Sequence, residues 1–137
     1  MGITINASSV ENGMEKVNRR LDTAVRKSLE QIGLLIEGDA AEKCPVDTGR
    51  LANSITHQVD DKSVSVGTNV EYGKYVEFGT GRYAVNGDGR DTPWAYQNSK
   101  GEWVYTQGNR AQPFLVPAAK NNQVKIKKII ENNIGSM

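Results

Sequence analysis

VENGMEKVNRRLDTAVRKSLEQIGLLIEGDAAEK, residues 10–43, is the stretch on which the reading of this chain turns. Its apolar side chains fall at Val10, Met14, Val17, Leu21, Val25, Leu29, Ile32, Ile36 and Ala40, each step three or four residues. That spacing draws one continuous stripe along an α-helix, with Arg19, Arg20, Lys27 and Glu30 off it. Ser8 or Ser9 suits the N-cap, and Glu11 then sits at the positive end of the helix dipole. At about 1.5 Å per residue the helix would run roughly 50 Å. Gly33 and Gly38 each weaken it by up to about 1 kcal/mol relative to Ala, which points to a bend or a close contact at those positions. Pro45 stops it. A stripe this long exceeds what one small sheet can cover. Part of it is therefore expected to meet another copy or another protein, the alternative being a kink that folds the helix back.

Working outward, the period changes after CPVDTGR, residues 44–50. Ser54 to Asp60 and Ser63 to Thr68 alternate as strands do, joined by a tight turn near Asp60-Asp61-Lys62. In YGKYVEFGT, residues 72–80, Tyr72, Tyr75 and Phe78 recur every third residue, which suits a short helical turn. Residues 81–108 are rich first in Gly, Asn and Asp and then in aromatics. There Thr92 to Tyr96 and Glu102 to Thr106 read as paired strands of a β-hairpin, with Gly101 suited to a positive φ. PFLVPAA, residues 113–119, leads into a helix ending near Ile134, whose apolar face is Leu115, Ala119, Ile126, Ile129, Ile130 and Ile134. Lys120, Lys125, Lys127 and Lys128 are expected to face water. The layout is α+β: a long N-terminal helix, a small antiparallel sheet with an inserted β-hairpin at about 81–110, and a C-terminal helix, read as one domain over residues 1–137.

The composition excludes several classes. A formal net charge of +1 does not mark a dedicated phosphate binder. One cysteine, Cys44, forms no intramolecular disulfide and no multi-cysteine zinc site, and fits a reducing cytoplasm. The opening MGITINA has no basic leader before an apolar run, and no stretch approaches the roughly 20 apolar residues of a membrane span.

Three blocks together resemble a known family. CPVDTGRL with Ser54-Ile55 is similar to the P-x-D-T-G-x-L-x-x-S signature of small phage head–tail joining proteins. YGKYVEFGT resembles their Y-A-x-Y-V-E-F-G-T block, and AQPFLVPA, residues 111–118, their Q-P-F-L-x-P-A block. Their order and the two flanking helices match the gene-product-ten-like tail-completion family of siphophages and prophages. The main departure is the stretch 81–110, where many relatives have a short link. The resemblance implies a structural virion protein that works as a ring of itself, a hexamer by that likeness. Its implied place is the head–tail junction or head-proximal tail end, against head connector or stopper and tail terminator or tail-tube subunits. Nonspecific contact with passing DNA goes with such a ring; assembly would take place in the host cytoplasm.

The residues themselves give these blocks structural roles. Pro45 ends the helix, Asp47 and Thr48 can bond backbone amides in a turn, and Gly49 supplies a φ few residues tolerate, before Leu51. Tyr75, Val76 and Phe78 are expected to pack under the sheet, while Gly79-Thr80 ends the turn. Glu77 is either a capping or solvated carboxylate or a contact to a backbone or to an Arg of a neighbouring copy. Phe114 reads as a core anchor between Pro113 and Pro117, and Pro117 suits a first helical turn. No catalytic, cofactor or metal site is expected. Cys44 and His57 lack a third orienting group, one His and one Cys make a poor metal set, and GDGRD, residues 87–91, lacks the endings of a phosphate loop or an EF-hand. The alternative function is a nucleic-acid module, with Trp94, Tyr96, Trp103 and Tyr105 stacking bases beside Arg82, Arg90, Lys100, Arg110 and the basic last helix. Against it, aromatics at alternate positions are also what a hairpin uses to stabilise itself across strands.

Overall fold

The computed structural model describes residues 1–6, 19–45 and 49–136. Val10, Met14 and Val17 of the expected stripe, the Ser8/Ser9 cap with Glu11, and Asp47 and Thr48 of the turn lie outside the described residues. The α+β class holds. The chain forms two compact units, one of residues 1–69 and 114–137, the other of residues 70–113.

In the first unit a strand absent from the sequence reading, β1 (Gly2–Asn6), precedes the long helix α1 (Arg19–Lys43). Then come a one-turn helix α2 (Arg50–Ser54) and the strands β2 (Thr56–Val59) and β3 (Ser63–Gly67). The sheet is antiparallel with order β1-β3-β2. Ser54 is thus the end of a helix, not the start of a strand; its hydroxyl donates to the Leu51 carbonyl at 2.6 Å, closing the turn. The β2–β3 turn sits where the sequence placed it. Asp60 Oδ1 accepts from the amides of Lys62 (2.8 Å) and Ser63 (2.7 Å), an Asx turn made by the side chain.

One face of this sheet carries Val64, Val66, Ile3, Ile5 and His57, and α1 lies against β2 and β3 on that side. The described stripe of α1 is consumed by the chain's own core: Leu21, Val25, Leu29, Ile32, Ile36 and Ala40 are all 3 % exposed or less. The expectation that part of it faces a partner is overturned for these residues. Other elements supply the missing cover. The C-terminal segment forms two helices, α4 (Leu115–Asn121) and α5 (Gln123–Gly135), numbered after the α3 of the second unit, and both pack on α1.

The break between them corrects the single final helix. Asn122 is buried, and its amide donates to the Ala118 carbonyl at 2.6 Å and to Asp39 Oδ2 on α1 at 2.8 Å. Asp39 in turn accepts from Lys43 at 2.9 Å. Burial works to raise the Asp39 pKa, but the Lys43 and Asn122 hydrogen bonds outweigh it and hold the carboxyl below its usual value. Further along, the Asn133 amide donates to Ser28 Oγ and Gln31 Oε1, each at 2.9 Å. These polar contacts fix how the C-terminal helices register on α1.

His57 is largely covered despite its place on the edge strand β2. Its side chain is 13 % exposed and clamped by α1: Nε2 lies 2.6 Å from Glu30 Oε1 and Nδ1 3.4 Å from Glu37 Oε1. Gly33 makes the approach possible, since a Cβ there would stand 2.5 Å from His57 Cδ2 and 2.9 Å from Val64 Cγ2. The Glu30 hydrogen bond, joined by Glu37 and opposed by burial, raises the His57 pKa above its ordinary value.

In the second unit, α3 (Gly73–Phe78) is the short helical turn, followed by a 3-10 turn at Gly81–Tyr83. The hairpin strands are β4 (Trp94–Gln97) and β5 (Trp103–Thr106). Gly49 and Gly101 take the expected positive φ, 80° and 77°.

Two predictions follow from the His57–Gly33 contact. Gly33→Ala should destabilise the protein by about 1–2 kcal/mol in urea, because overpacking outweighs the gain in helix propensity. Gly38→Ala, where an added Cβ meets nothing within 4 Å, should instead stabilise by up to about 1 kcal/mol; equal effects at the two sites would refute the close-approach argument. The His57 clamp contributes stability in full below the unfolded-state pKa, about 6.5, and that contribution is lost as pH rises through the raised folded value. Thermal melts of the parent against His57→Gln should therefore converge toward alkaline pH and diverge toward acid; parallel curves would show that the clamp adds nothing.

Candidate assembly interface

The second unit is organised by its own ends. Residues 107–112 return alongside 76–82: Thr80 N–H donates to the Asn109 carbonyl (2.9 Å), Asn109 N–H to Thr80 Oγ1 (2.8 Å), and Gln112 N–H to the Val76 carbonyl (2.8 Å). Arg82 N–H reaches the Gln107 carbonyl at 3.2 Å. The strands pass so closely that a Cβ on Gly79, already at φ +79°, would lie 2.8 Å from the Tyr83 carbonyl and 3.0 Å from the Ala111 amide. The blocks around Tyr72–Thr80 and Ala111-Gln112, some thirty residues apart, thereby become neighbours. What lies between them is an excursion pinned at its base.

Packing inside the middle block departs from expectation. Tyr75 is 50 % exposed, with Lys74 Nζ 5.0 Å above its ring, so it is no buried anchor. Tyr72, Val76 and Phe78 are partly covered, and the buried members are Gly73, Glu77 and Gly79. Glu77 is 3 % exposed, held inside the fold and not offered to a neighbour's arginine. In the other blocks, Pro45 follows the last turn of α1 and Leu51 is buried on α2. Phe114 is fully buried as the N-cap residue of α4, preceded by the exposed Pro113. Pro117 falls in the first turn of α4, where its missing N–H breaks no helical bond.

The hairpin register separates the four aromatics. Trp94 pairs with Thr106 and Tyr96 with Val104 on one face; Ala95 pairs with Tyr105 and Gln97 with Trp103 on the other. No aromatic stands directly across from another: Trp94 and Tyr96 form aromatic–β-branched pairs with Thr106 and Val104, whereas Trp103 and Tyr105 face Gln97 and Ala95 and gain no such pair. Trp94 has Arg90 5.6 Å from its ring and is partly covered. Trp103 and Tyr105, two apart on one strand, project from the opposite face at 71 % and 83 % exposure. Their neighbours on that face, Ala95 and Gln97, are exposed as well. An uncovered Trp-Tyr pair on a strand is a candidate contact surface.

The charges near it are largely spent or balanced. Arg82 donates to Gln107 Oε1 at 2.5 Å, and Arg110 lies 4.8 Å above the Tyr83 ring. Residues 70–113 hold five basic side chains (Lys74, Arg82, Arg90, Lys100, Arg110) against five acidic ones (Glu71, Glu77, Asp88, Asp91, Glu102). Cys44 is 4 % exposed and His57 is engaged by Glu30 and Glu37, so the pair does not present an accessible nucleophile and base. Among the described residues no cluster of three or more His, Cys, Asp or Glu is arranged to hold a metal, and no helix is long and apolar enough to cross a membrane.

A second apolar surface belongs to the first unit. A groove of about 490 Å³ is lined by Ile3 and Ile5 of β1, Val116 of α4, and Ile126 and Ile130 of α5, with Lys120 and Lys127 among its lining residues. The sequence pattern shows one wall of it, the apolar face of the last helix, but not the other, because β1 carries no strand signal. In the structure no residue of α5 is fully buried.

No curated protein and no solved structure matches this chain. The family of bacteriophage HK97-gp10, a tail-component family, matches residues 8–79, a span that holds α1, the sheet strands β2 and β3 and all of the block 72–80 but its last residue, and leaves β1, the hairpin and the C-terminal helices outside. With more than half its length so matched, the protein belongs to the HK97-gp10-like family of bacteriophage tail components.

Proposed function

We propose that this tail-component protein completes the head-proximal end of the tail or its joint with the head, as one subunit of a homo-oligomeric ring, and that it acts without catalysis. The observation that carries the reading is the exposed Trp103–Tyr105 face on an excursion whose base is pinned by Thr80 and Asn109. A rigidly based hairpin presenting two aromatics has the make-up of a protein-docking element, aromatic at its centre and polar around it. Its contacts in the virion are then protein subunits: further copies of itself, and connector, stopper, terminator or tube proteins on either side. The even charge balance of residues 70–113, with Arg82, Arg90 and Arg110 engaged by neighbouring side chains, supports protein over phosphate as the main partner. Contact with DNA passing through the ring is nonspecific in this reading. The buried Cys44 and the clamped His57 support a structural role.

Electron microscopy of lysates from a phage lacking this gene tests the proposal. DNA-filled heads separate from complete tails are the expected result, and intact infectious particles would refute the role. Tails of uncontrolled length would move the assignment to a terminator. Supplying the chain with Trp103→Ala and Tyr105→Ala together should fail to restore joined particles although the variant folds, since both side chains are exposed; full restoration would remove the hairpin from the interface.

A further inference from the structure

The groove of the first unit and the aromatic face of the hairpin are complementary in three respects. The groove is apolar between its walls, with Lys120 and Lys127 as its charged lining residues and no carboxylate among them. The hairpin offers Trp103 and Tyr105, preceded by the exposed carboxylate Glu102. Each surface also runs along an open strand edge. Among the described residues β1 pairs only with β3, and β5 only with β4. Unpaired edges beside apolar side chains are the usual template for strand addition, in which backbone bonds give affinity and alternate side chains fill the flanking pocket.

We propose that the groove between β1 and the helices α4 and α5 is the socket for the Trp103–Tyr105 hairpin face of a second copy of this chain. This rests on the assembly role proposed above and names the partner of the hairpin. Pairing β5 of one copy along the free edge of β1 of the next brings two strands to about 4.8 Å. Trp103 and Tyr105 are then spaced as Ile3 and Ile5 are, two residues apart, and project on the same face, toward Val116, Ile126 and Ile130. The isoleucines of α5, none buried within the chain, gain their cover there. Glu102 enters at the end of the aromatic pair, where Lys120 and Lys127 meet it with opposite charge. Socket and plug are different surfaces, so the contact is heterologous: each copy uses its plug on one neighbour and its socket on the other, and the series closes into a ring when the rotation per subunit allows.

Sedimentation of the purified full chain tests this. The parent should form oligomers beyond the dimer as concentration rises. Trp103→Ala with Tyr105→Ala should weaken association by on the order of a hundredfold, and so should Ile126→Glu with Ile130→Glu. Mixing these two variants restores one intact contact and should give a dimer that grows no further. Should the Ile→Glu chain not fold, Lys120→Glu with Lys127→Glu, both at exposed positions, should weaken association, and adding Glu102→Lys should recover it. A monomeric parent, variants that associate like the parent, an inert mixture with both variants folded, or charge reversal without rescue would each overturn the socket. So would two-fold dimers that resist the hairpin changes, since those would be β1 pairing with β1. Missing head–tail joints in the deletion lysate alongside any of these results would leave the assembly role standing and remove only the socket.

Discussion

The structure depends on how closely α1 lies on its sheet. Gly33 sets the closest approach: His57 and Val64 occupy the space a Cβ there would need. From this contact outward the stripe of α1 is divided. Ile32 and Ile36, both fully buried, and their neighbours bury against β2 and β3 and against the two C-terminal helices. Burial of this kind contributes roughly 1.5–3 kcal/mol per large aliphatic side chain. The polar links from Asn122 to Asp39 and from Asn133 to Ser28 and Gln31 add direction to a packing that hydrophobicity alone leaves free to slide. The His57 clamp secures the same face of the helix, on either side of Gly33, to β2.

The second unit follows a different logic. Its order comes from backbone bonds between strands that leave and return, at Thr80–Asn109, Val76–Gln112 and Arg82–Gln107. A loop closed at its base in this way can carry a changed or lengthened tip at small entropic cost, which rises slowly with loop length. On the departing side of that closure Gly79 is required, because a Cβ there would meet the Tyr83 and Asn109 carbonyls and the Ala111 amide. The match to the tail-component family ends at this residue, just where the excursion departs.

Periodicity made α1 and the strands β2 and β3 legible, because each element there buries one regular face. The turn residues Asp60, Gly49 and Gly101 were legible for their own chemistry. What escaped depended on partners distant in sequence. β1 has two apolar residues, too few to show alternation, and becomes a strand by pairing with β3. Asn122 reads as an ordinary polar residue until Asp39, eighty-three positions away, receives its amide. In the middle block the threefold spacing of aromatics suggested that Tyr75 would be buried, yet a single helical turn buries only the face that meets a neighbour, and here that face bears Gly73 and Glu77. The hairpin aromatics were found by composition, but their division between two faces is a matter of register, fixed by the pairing of β4 with β5.

These observations bear on why the final helix is as it is. A helix whose stripe holds Ile126, Ile129, Ile130 and Ile134 carries enough apolar surface for full burial, yet each of the four is only partly covered. Isolated helices of this length are marginal in water, and α5 is held by one side on α1 and by the Asn133 contacts. Leaving its other side apolar has no folding advantage; it exposes surface that water penalises and that invites association. The arrangement makes physical sense for a subunit whose final burial occurs in an assembly. In the contact proposed above, the remaining isoleucine surface and the edge of β1 left unpaired among the described residues would be covered together, and the stability of the fold and the occupancy of its neighbour would become one equilibrium.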